Sequence, residues 1–352
     1  MKILSTNSNI PLFNSLKELV GAKRVELSVG KFNNGETSID IDSSLRGETT
    51  YVLMSGSDNI NNDIIEAGLL CHAANYASAK KIVLIVPSYP YARQDRKSKS
   101  RDPISARFIA DLFTKAGNVD HIIAVELHNG AIQGFADVPV DNLSTVPLFI
   151  EKIKSDIFTE VKDPTEDVCV VSPDMGGAKR VKKLAEQLGT PFAIINKERR
   201  KAGEIEEMQL FGDVKDKYCI LYDDMADSCG TLIKAVDMLL EHGAVKVVAF
   251  VTHGILSQND KVDAVARLEK SNITALYVTD SVDLWAKIKN SSKIKVVSIA
   301  PLLACSIFHQ FSDRSMESLF DKSTNTEKMK EMLVMWRSNY KHSHPKSVKA
   351  SE

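Results

Sequence analysis

Two adjacent aspartates, Asp223 and Asp224, follow an apolar run at residues 218–222 whose length and bounds are typical of a buried strand. Small and polar residues come next, and a helical pattern starts after Thr231. A curled loop that leads into a helix directs several N–H groups at one point, which suits a phosphate. Carboxylates behind that point would repel a bare anion but can accept hydrogen bonds from hydroxyls. The stretch therefore fits a phosphorylated sugar, and a strand-to-helix turn with solvated acids is the alternative.

Alternating strand and helix patterns must position these residues. Apolar runs rich in Val and Ile recur along the chain, separated by helical patterns such as residues 62–79, 104–116, 178–188 and 232–242. Short connections between such elements indicate a mostly parallel sheet covered by helices on both faces. The two halves of the chain show a similar order of strands and helices, and we expect the boundary between them in the charged stretch 152–167. We therefore predict an α/β protein with a duplicated domain.

The overall composition excludes several classes of function. The chain has 352 residues, with 45 Lys and Arg against 46 Asp and Glu, so no general field favours nucleic acid or membrane. The five cysteines are scattered and form no C-x-x-C pair, which fits a reduced intracellular protein. No segment has the pattern of a signal peptide or a membrane span. We expect a cytoplasmic protein.

A polar turn at residues 31–37 reads K-F-N-N-G-E-T. Asn and Gly favour turns, so the tip of a hairpin is one interpretation. The other is a binding site for a base, in which Phe32 stacks on the ring while Asn34 and Glu36 meet its polar edge.

A dense basic segment at residues 87–103 reads P-S-Y-P-Y-A-R-Q-D-R-K-S-K-S-R-D-P. Charge runs are usually solvated faces. This one, however, leaves the end of a buried strand pattern, where the ligand sites of α/β proteins form.

Three further groups of residues follow predicted strands. His128 lies in E-L-H-N-G, and Asp174 lies in V-V-S-P-D-M-G-G-A-K, where a carboxylate could help to bind a magnesium ion. Residues 196–208 read N-K-E-R-R-K-A-G-E-I-E-E-M. They are either an ordinary exposed loop or a mobile basic loop that closes and supplies positive charge to a polyphosphate, with Lys197 and Arg199 as the stabilising cations.

Together these motifs resemble those of ribose-phosphate pyrophosphokinases, also called phosphoribosyl pyrophosphate synthetases. The stretch D-D-M-A-D-S-C-G-T is similar to the phosphoribosyl pyrophosphate loop of type I phosphoribosyltransferase folds, in this family's variant. The segments K-F-N-N-G-E-T, P-Y-A-R-Q-D, S-P-D-M-G-G-A-K and K-E-R-R-K also match, in the family's order, and the resemblance covers roughly residues 3–320.

The resemblance implies a role for each matching residue. ATP contacts are implied for Phe32, Asn34, Glu36, Arg93 and Gln94. Ribose 5-phosphate contacts are implied for Asp223, Asp224, Asp227, Ser228, Cys229, Gly230 and Thr231. Lys197 and Arg199 would be catalytic, and His128 and Asp174 would be at the metal site. A regulatory anion site at a subunit interface is implied for Ser44, Arg46, Lys97, Arg101 and Ser315.

The resemblance also implies a fold, a reaction and partners. The fold would be two tandem type I phosphoribosyltransferase-like domains, residues 1–146 and 147–320, followed by an extension at 321–352. The reaction would be ATP plus ribose 5-phosphate giving AMP plus phosphoribosyl pyrophosphate, with Mg²⁺. The protein would assemble with itself from homodimers into a hexamer, and would bind neither nucleic acid nor a membrane. A phosphoribosyltransferase and a non-catalytic regulatory subunit of the same family are the alternatives.

The sequence departs from the family pattern at positions close to these motifs. Glu126 replaces the Asp of D-L-H, Gly130 replaces a usual Ser, and Glu317 stands where relatives have another Ser. A carboxylate beside an anion site repels the anion. We therefore expect weakened or altered activation by phosphate.

The extension contains an apolar stripe at helical spacing, formed by Met329, Met332, Leu333, Trp336 and Tyr340. Such a stripe is most often packed on the parent domain, and a helix that binds a partner is the alternative.

Overall fold

The computed structural model describes residues 1–22, 25–198, 207–320 and 325–343. The strands in these residues are β1 (Lys2–Ser5), β2 (Leu27–Lys31), β3 (Thr37–Ile41), β4 (Thr49–Leu53), β5 (Lys81–Val86), β6 (His121–Val125), β7 (Val140–Leu143), β8 (Val168–Ser172), β9 (Phe192–Glu198), β10 (Glu207–Phe211), β11 (Tyr218–Ala226), β12 (Lys246–Gly254), β13 (Gln258–Asn259), β14 (Val262–Asp263), β15 (Ala275–Thr279) and β16 (Ile294–Val297).

The helices alternate with these strands for most of the described chain. They are α1 (Ile10–Val20), α2 (Ile60–Tyr76), α3 (Ser105–Asp111), α4 (Val146–Asp156), α5 (Pro164–Asp167), α6 (Ala178–Leu188), α7 (Gly230–Glu241), α8 (Ala264–Lys270), α9 (Trp285–Ile288), α10 (Ala300–Phe311) and α11 (Thr326–Ser343). A π-helical turn, Leu112–Ala116, continues α3, and short 3₁₀ turns lie at Gly130–Gly134, Phe158–Glu160 and Glu317–Phe320.

The chain packs as two units. One unit contains Met1–Ser144, Ser281–Asp283 and the described part of Ser298–Glu352. The other contains Thr145–Asp280 and Leu284–Val297. The domain limits given above, after residues 146 and 320, stay predictions of the sequence.

The first unit is built on a five-stranded sheet in the order β1-β4-β5-β6-β7. All neighbouring pairs in it are parallel. Strands β2 and β3 form a separate antiparallel hairpin. The apolar faces of the sheet and of α2 share one core, which includes Val52, Leu70, Leu84, Phe113 and Ile122.

The second unit is built on a seven-stranded sheet in the order β10-β9-β8-β11-β12-β15-β16. Its pairs are parallel except for β10, which runs antiparallel to β9 at one edge. Side chains from the sheet, α4 and α6 form the core, among them Phe149, Tyr222 and Phe250. The predicted α/β fold, with helices against two mostly parallel sheets, is therefore confirmed.

Strands β11 and β9, which carry predicted site residues, are longer than the sequence pattern predicted. Strand β11 was expected to end at 222, but it continues to Ala226 because β12 pairs with it that far, with Asp223 opposite Val251 and Ala226 opposite Gly254. The pair of acids therefore lies inside the last part of a strand, and not after it. Strand β9 continues to Glu198, so Lys197 lies in a strand opposite Met208 of β10, and not in a loop.

The predicted C-terminal amphipathic helix is present as α11. Met329, Leu333 and Trp336 are buried, and α11 packs against α10 and α1 within the first unit. The side chain of Tyr340, predicted on the same stripe, lies outside the described residues.

No helix in the described ranges combines the length and the apolar character needed to cross a membrane.

Candidate functional site

The aspartate pair Asp223 and Asp224 lies in the last part of β11, in the second unit. Asp224 is buried and Asp223 is partly exposed. Arg180 of α6 donates from Nη1 to Oδ1 of Asp223 at 3.4 Å and to Oδ1 of Asp224 at 3.2 Å. The backbone N–H of Asp224 also donates to Oδ1 of Asp223, at 2.9 Å. One guanidinium thus holds two adjacent carboxylates in place.

The two carboxylates affect each other's ionisation. Burial and the neighbouring charge of Asp224 raise the pKa of Asp223, and Arg180 opposes that rise only in part. Two carboxylates so close resist simultaneous ionisation, so their side chains titrate as a pair and not independently. A ligand that donates hydroxyl hydrogens to the pair satisfies these carboxylates without adding a further negative charge.

The loop after β11 has the curled backbone that the sequence predicts. Cys229 is in the left-handed conformation, with φ of 59°, and is the residue immediately before α7. Its carbonyl accepts the hydrogen bond from Ile233 N–H at 3.0 Å, which starts the helix. The left-handed region is unfavourable for a residue with a side chain, and such strain is concentrated at functional sites. The loop therefore presents N–H groups at the N-terminus of a three-turn helix.

Contacts from a neighbouring segment hold this loop from outside. Ser257 Oγ donates to Oδ1 of Asp227, and Ser257 N–H donates to the carbonyl of Asp227 at 3.2 Å. Arg267 Nη1 donates to the carbonyl of Ser228 at 3.4 Å. Thr231 is exposed at the start of α7, where its hydroxyl is accessible.

Asp174 follows β8, which is the strand beside β11, so the two sets of acids leave the same edge of the sheet. Oδ1 of Asp174 accepts from Gly177 N–H at 3.0 Å, and Ser172 Oγ donates to the Asp174 carbonyl at 2.7 Å. A Cβ at Gly177 would lie 2.6 Å from Ser172 Oγ, so a larger residue at this turn would require the Ser172 hydroxyl to move. The turn fixes the carboxylate at the entrance to α6.

The donor set at this edge fits Mg²⁺. Among the described residues, no group of three or more His, Cys, Asp or Glu side chains could hold a metal ion. Mg²⁺ needs no such cage, because it usually binds one or two carboxylates, waters and the phosphates of a substrate. Asp174 provides a partly exposed carboxylate of that kind.

In the first unit, the two segments that carry the predicted nucleotide residues both contact the beginning of α2, through Lys31 and Tyr91. The tip of the β2–β3 hairpin carries Phe32, whose ring is 60% exposed and accessible to a base. Lys31 beside it donates from Nζ to Asn62 of α2. From the basic segment, Tyr91 donates its hydroxyl to Asn61 at 2.6 Å. Adjacent residues of one helical turn therefore contact both segments.

The side chain of Asn34 serves the hairpin itself. Its Oδ1 accepts from Glu36 N–H at 3.1 Å, and the Glu36 carbonyl accepts from Phe32 N–H at 2.8 Å. The hairpin tip predicted from Asn and Gly is therefore present, and the aromatic side chain stands out from it. Both sequence interpretations, a turn and a base site, are compatible with this geometry.

The segment of Arg93 and Gln94 and the segment of His128 follow β5 and β6, which are parallel neighbours. Asn129, next to His128, donates from Nδ2 to Oδ2 of Asp95 at 2.6 Å, which joins the two strand exits. Glu126 has a φ of 42°, and its carboxylate accepts from Ser144 Oγ at 2.6 Å. The longer side chain of Glu126 is thus accommodated by a hydrogen bond, while His128 is exposed.

The remaining predicted residues are the two catalytic candidates and the regulatory set. Arg199 lies outside the described residues, and for Lys197 only the backbone in β9 is described. The predicted regulatory residues are all exposed, on segments of the first unit: Ser44, Arg46, Lys97, Arg101 and Ser315. Their assignment to one anion site stays a prediction.

Arg180 is a residue that motif reasoning did not single out. It stands directly after the G-G-A-K motif, so the signal was present in the sequence. Its function became clear only when the structure placed α6 beside the end of β11.

The fold and the site define an α/β protein with two mostly parallel sheets, and with an acid pair and a curled loop at the carboxyl ends of parallel strands. Residues 1–117 match the N-terminal domain of ribose phosphate pyrophosphokinase, and residues 201–321 match the phosphoribosyl synthetase-associated domain. A crystal structure of phosphoribosylpyrophosphate synthetase from Mycobacterium smegmatis is similar, with 36% identity, 89% of this chain and 99% of that chain covered, and a TM-score of 0.81. The chain belongs to the ribose-phosphate pyrophosphokinase family.

Other solved structures match shorter parts of the chain. A purine phosphoribosyltransferase from Pyrococcus horikoshii shares 25% identity over 31% of this chain and 70% of its own, with a TM-score of 0.25. An adenine phosphoribosyltransferase shares 17% identity over 38% of this chain and 76% of its own, with a TM-score of 0.28.

Proposed function

We propose that this protein is a ribose-phosphate diphosphokinase, which transfers the β,γ-pyrophosphate of ATP to the anomeric hydroxyl of ribose 5-phosphate. The products would be phosphoribosyl pyrophosphate and AMP, which feed nucleotide biosynthesis. The observation that carries the proposal is the acid pair at the end of β11, held by Arg180 directly before a curled loop and a helix N-terminus. Carboxylates that accept hydrogen bonds from hydroxyls, next to N–H groups that donate to a phosphate, suit a sugar phosphate.

The substrate would be held by two groups of residues. Asp223 and Asp224 would accept hydrogen bonds from the ribose hydroxyls, and the loop from Asp227 to Thr231 would bind the 5-phosphate. ATP would be bound through the Phe32 ring, Asn34 and Glu36, and through Arg93 and Gln94. Such residues act by fixing the sugar and the nucleotide in a reactive orientation.

The reaction would need no covalent intermediate on the protein. The anomeric oxygen forms a bond to the β-phosphorus of ATP, the bond from that phosphorus to the oxygen bridging to the α-phosphorus breaks, and AMP leaves with that oxygen. Transfer of this kind depends mainly on alignment and charge neutralisation. His128, Lys197 and Arg199 would supply part of the neutralisation. His128 and Asp174 would each be ligands of Mg²⁺, which would offset the charge of the polyphosphate.

The deciding experiment measures AMP release from ATP and Mg²⁺ with and without ribose 5-phosphate. We expect AMP formation that depends on ribose 5-phosphate. Asp224→Asn should raise the Michaelis constant for ribose 5-phosphate and leave that for ATP nearly unchanged. Glu186→Gln is the matched control, because Glu186 is an exposed carboxylate on α6, six residues after Arg180.

Other outcomes would overturn the proposal in distinct ways. Release of ADP would indicate an ordinary kinase. ATP binding without turnover would favour a non-catalytic regulatory subunit, and turnover only with a base and phosphoribosyl pyrophosphate would indicate a phosphoribosyltransferase. We also propose a homodimer-based hexamer in the cytoplasm, and light scattering on the purified protein tests the assembly.

A further inference from the structure

The phosphate loop contains no cation of its own. Residues 223–231 include three aspartates and no Lys or Arg. A phosphate monoester carries a charge of about −1.5 to −2 at neutral pH. Arg180, the cation beside the acids, is engaged by Asp223 and Asp224. A further cation at the loop would offset the repulsion between these carboxylates and the phosphate.

Arg267 of α8 provides a cation at the loop itself. Its Nη1 donates to the carbonyl of Ser228 at 3.4 Å, and the side chain is exposed. Burial and the charge of Asp227 raise the pKa of the Cys229 thiol, and the nearby charge of Arg267 opposes part of that rise. A guanidinium has five N–H donors in a fixed fork that matches a phosphate. One contact to the Ser228 carbonyl therefore leaves donors for an anion in the loop.

Hydrogen bonds hold the backbone of α8, which carries Arg267, close to the loop. Ser257 binds Asp227 with both its N–H and its hydroxyl, and the Ser257 carbonyl accepts from Ala264 N–H, the first residue of α8, at 3.1 Å. Asp263 caps α8 by accepting from Ala266 N–H at 2.9 Å. Helix α8 is thus attached to the loop at both Asp227 and Ser228. These contacts hold the backbone from which Arg267 reaches the loop, and less ordering is then needed when a ligand binds.

We propose that Arg267 is a direct ligand of the 5-phosphate of the sugar substrate, supplying the cation that the loop sequence lacks. This inference rests on the proposed function, because it takes a sugar phosphate as the occupant of the loop. Neither the loop motif nor its spacing singles out Arg267, since it stands 36 residues after Thr231.

The experiment compares Arg267→Gln and Arg267→Lys with the wild type in steady-state kinetics, and in calorimetric titration with ribose 5-phosphate alone. Loss of charge-assisted hydrogen bonds should weaken ribose 5-phosphate binding by about 10- to 100-fold. The turnover number and the Michaelis constant for ATP should change little, and Arg267→Lys should recover part of the affinity. Lys270→Gln, which removes an exposed cation three residues further along α8, is the control and should behave as the wild type.

A pH series distinguishes a direct contact between Arg267 and the phosphate from a role in which Arg267 only stabilises the loop. The second pKa of a phosphate monoester is about 6, so wild-type affinity should increase as the dianion forms above that pH. Arg267→Gln should weaken this increase, because the lost cation favours the dianion. If the variant has the same pH dependence as the wild type, Arg267 only braces the loop and the assignment is wrong.

The direct titration keeps this inference distinct from the proposed function. A wild type that binds ribose 5-phosphate but forms no AMP would refute the pyrophosphokinase reaction, while weaker binding by Arg267→Gln would still support the Arg267 assignment. A wild type that forms AMP, with a variant of equal affinity, would refute only the assignment. A wild type that does not bind ribose 5-phosphate would refute both.

Discussion

At the scale of single residues, the acid pair makes stability depend on pH. The pKa of Asp223 is raised from its ordinary value of 3.8, first by burial and then by Asp224. The folded protein therefore binds more protons than the unfolded chain above pH 3.8, and by linkage its stability falls as pH rises toward the raised pKa. Asp223→Asn should flatten this fall in the ligand-free protein, as measured by thermal unfolding between pH 4 and 8. An unchanged slope would show that the pair does not share its proton as inferred.

Lys197 gives a second prediction at this scale, which follows from its proposed role in transition-state neutralisation. Lys197→Ala should lower turnover by about 10²- to 10³-fold, by analogy with the loss of an oxyanion donor. The Michaelis constants should change far less, because a group that acts in the transition state adds little to ground-state binding. Lys215→Ala, at an exposed turn after β10, is the control. A rise in the Michaelis constant alone would contradict the assigned role.

Residue types and spacing were sufficient to predict the acids and the loop, but not their partners. D-D-M-A-D-S-C-G-T is a local pattern, so the sequence alone locates Asp223 and Asp227. Arg180 and Arg267 reach this stretch from α6 and α8, 43 residues before Asp223 and 39 residues after Ser228. Only the placement of those helices by the sheet brings the guanidiniums there. Long-range contacts of exposed charged side chains leave no periodic signal in a sequence.

At the scale of elements, the ends of strands β9 and β11 were the least predictable features. Hydrophobic runs predict where a strand is buried, whereas its last residues depend on how far a neighbouring strand continues to pair. Strand β12 extends to Gly254 and so keeps Asp223, Met225 and Ala226 in the sheet. The polar residues at these ends have no apolar pattern of their own, so the sequence predicted loops there.

Helix α11 gives a prediction about packing. Leu333 is 2% exposed, and Trp336, one turn later, has its ring centroid 5.3 Å from that of Phe308 in α10. Leu333→Ala should destabilise the protein by about 2–5 kcal/mol, from lost burial and the cavity left behind. Val334→Ala is the matched control, because Val334 is 65% exposed, and it should change stability by no more than about 0.5 kcal/mol.

Denaturant unfolding followed by tryptophan fluorescence measures both variants. Equal stability of Leu333→Ala and Val334→Ala would mean that α11 is not held on the first unit. The stripe would then be free to bind a partner, which was the alternative drawn from the sequence.

At the scale of the whole molecule, the alternation of strands and helices predicted two sheets. It did not predict to which unit each segment after residue 280 belongs. Ser281–Asp283 and α10 pack with the first unit although they follow the second along the chain. Ser55 Oγ donates to the Ser281 carbonyl at 2.7 Å, and Tyr51 Oη donates to the Ile307 carbonyl at 3.5 Å. These partners are more than 200 residues apart in sequence. The apolar pattern of α10 predicts that the helix is buried, but it does not identify the unit on which the helix packs.

The last prediction concerns regulation, which in this family is expected to involve an anion site where subunits meet. Glu317 N–H donates to Ser315 Oγ at 3.1 Å, so the backbone of Glu317, whose carboxylate side chain is exposed, contacts a predicted anion-binding hydroxyl. Repulsion between that carboxylate and a phosphate should weaken activation. Activity should therefore respond only weakly across a phosphate titration, and Glu317→Ser should make the response steeper. Glu331→Gln, an exposed carboxylate on α11, should leave the curve as in the wild type. A steep phosphate requirement in the wild type would show that the anion binds despite Glu317.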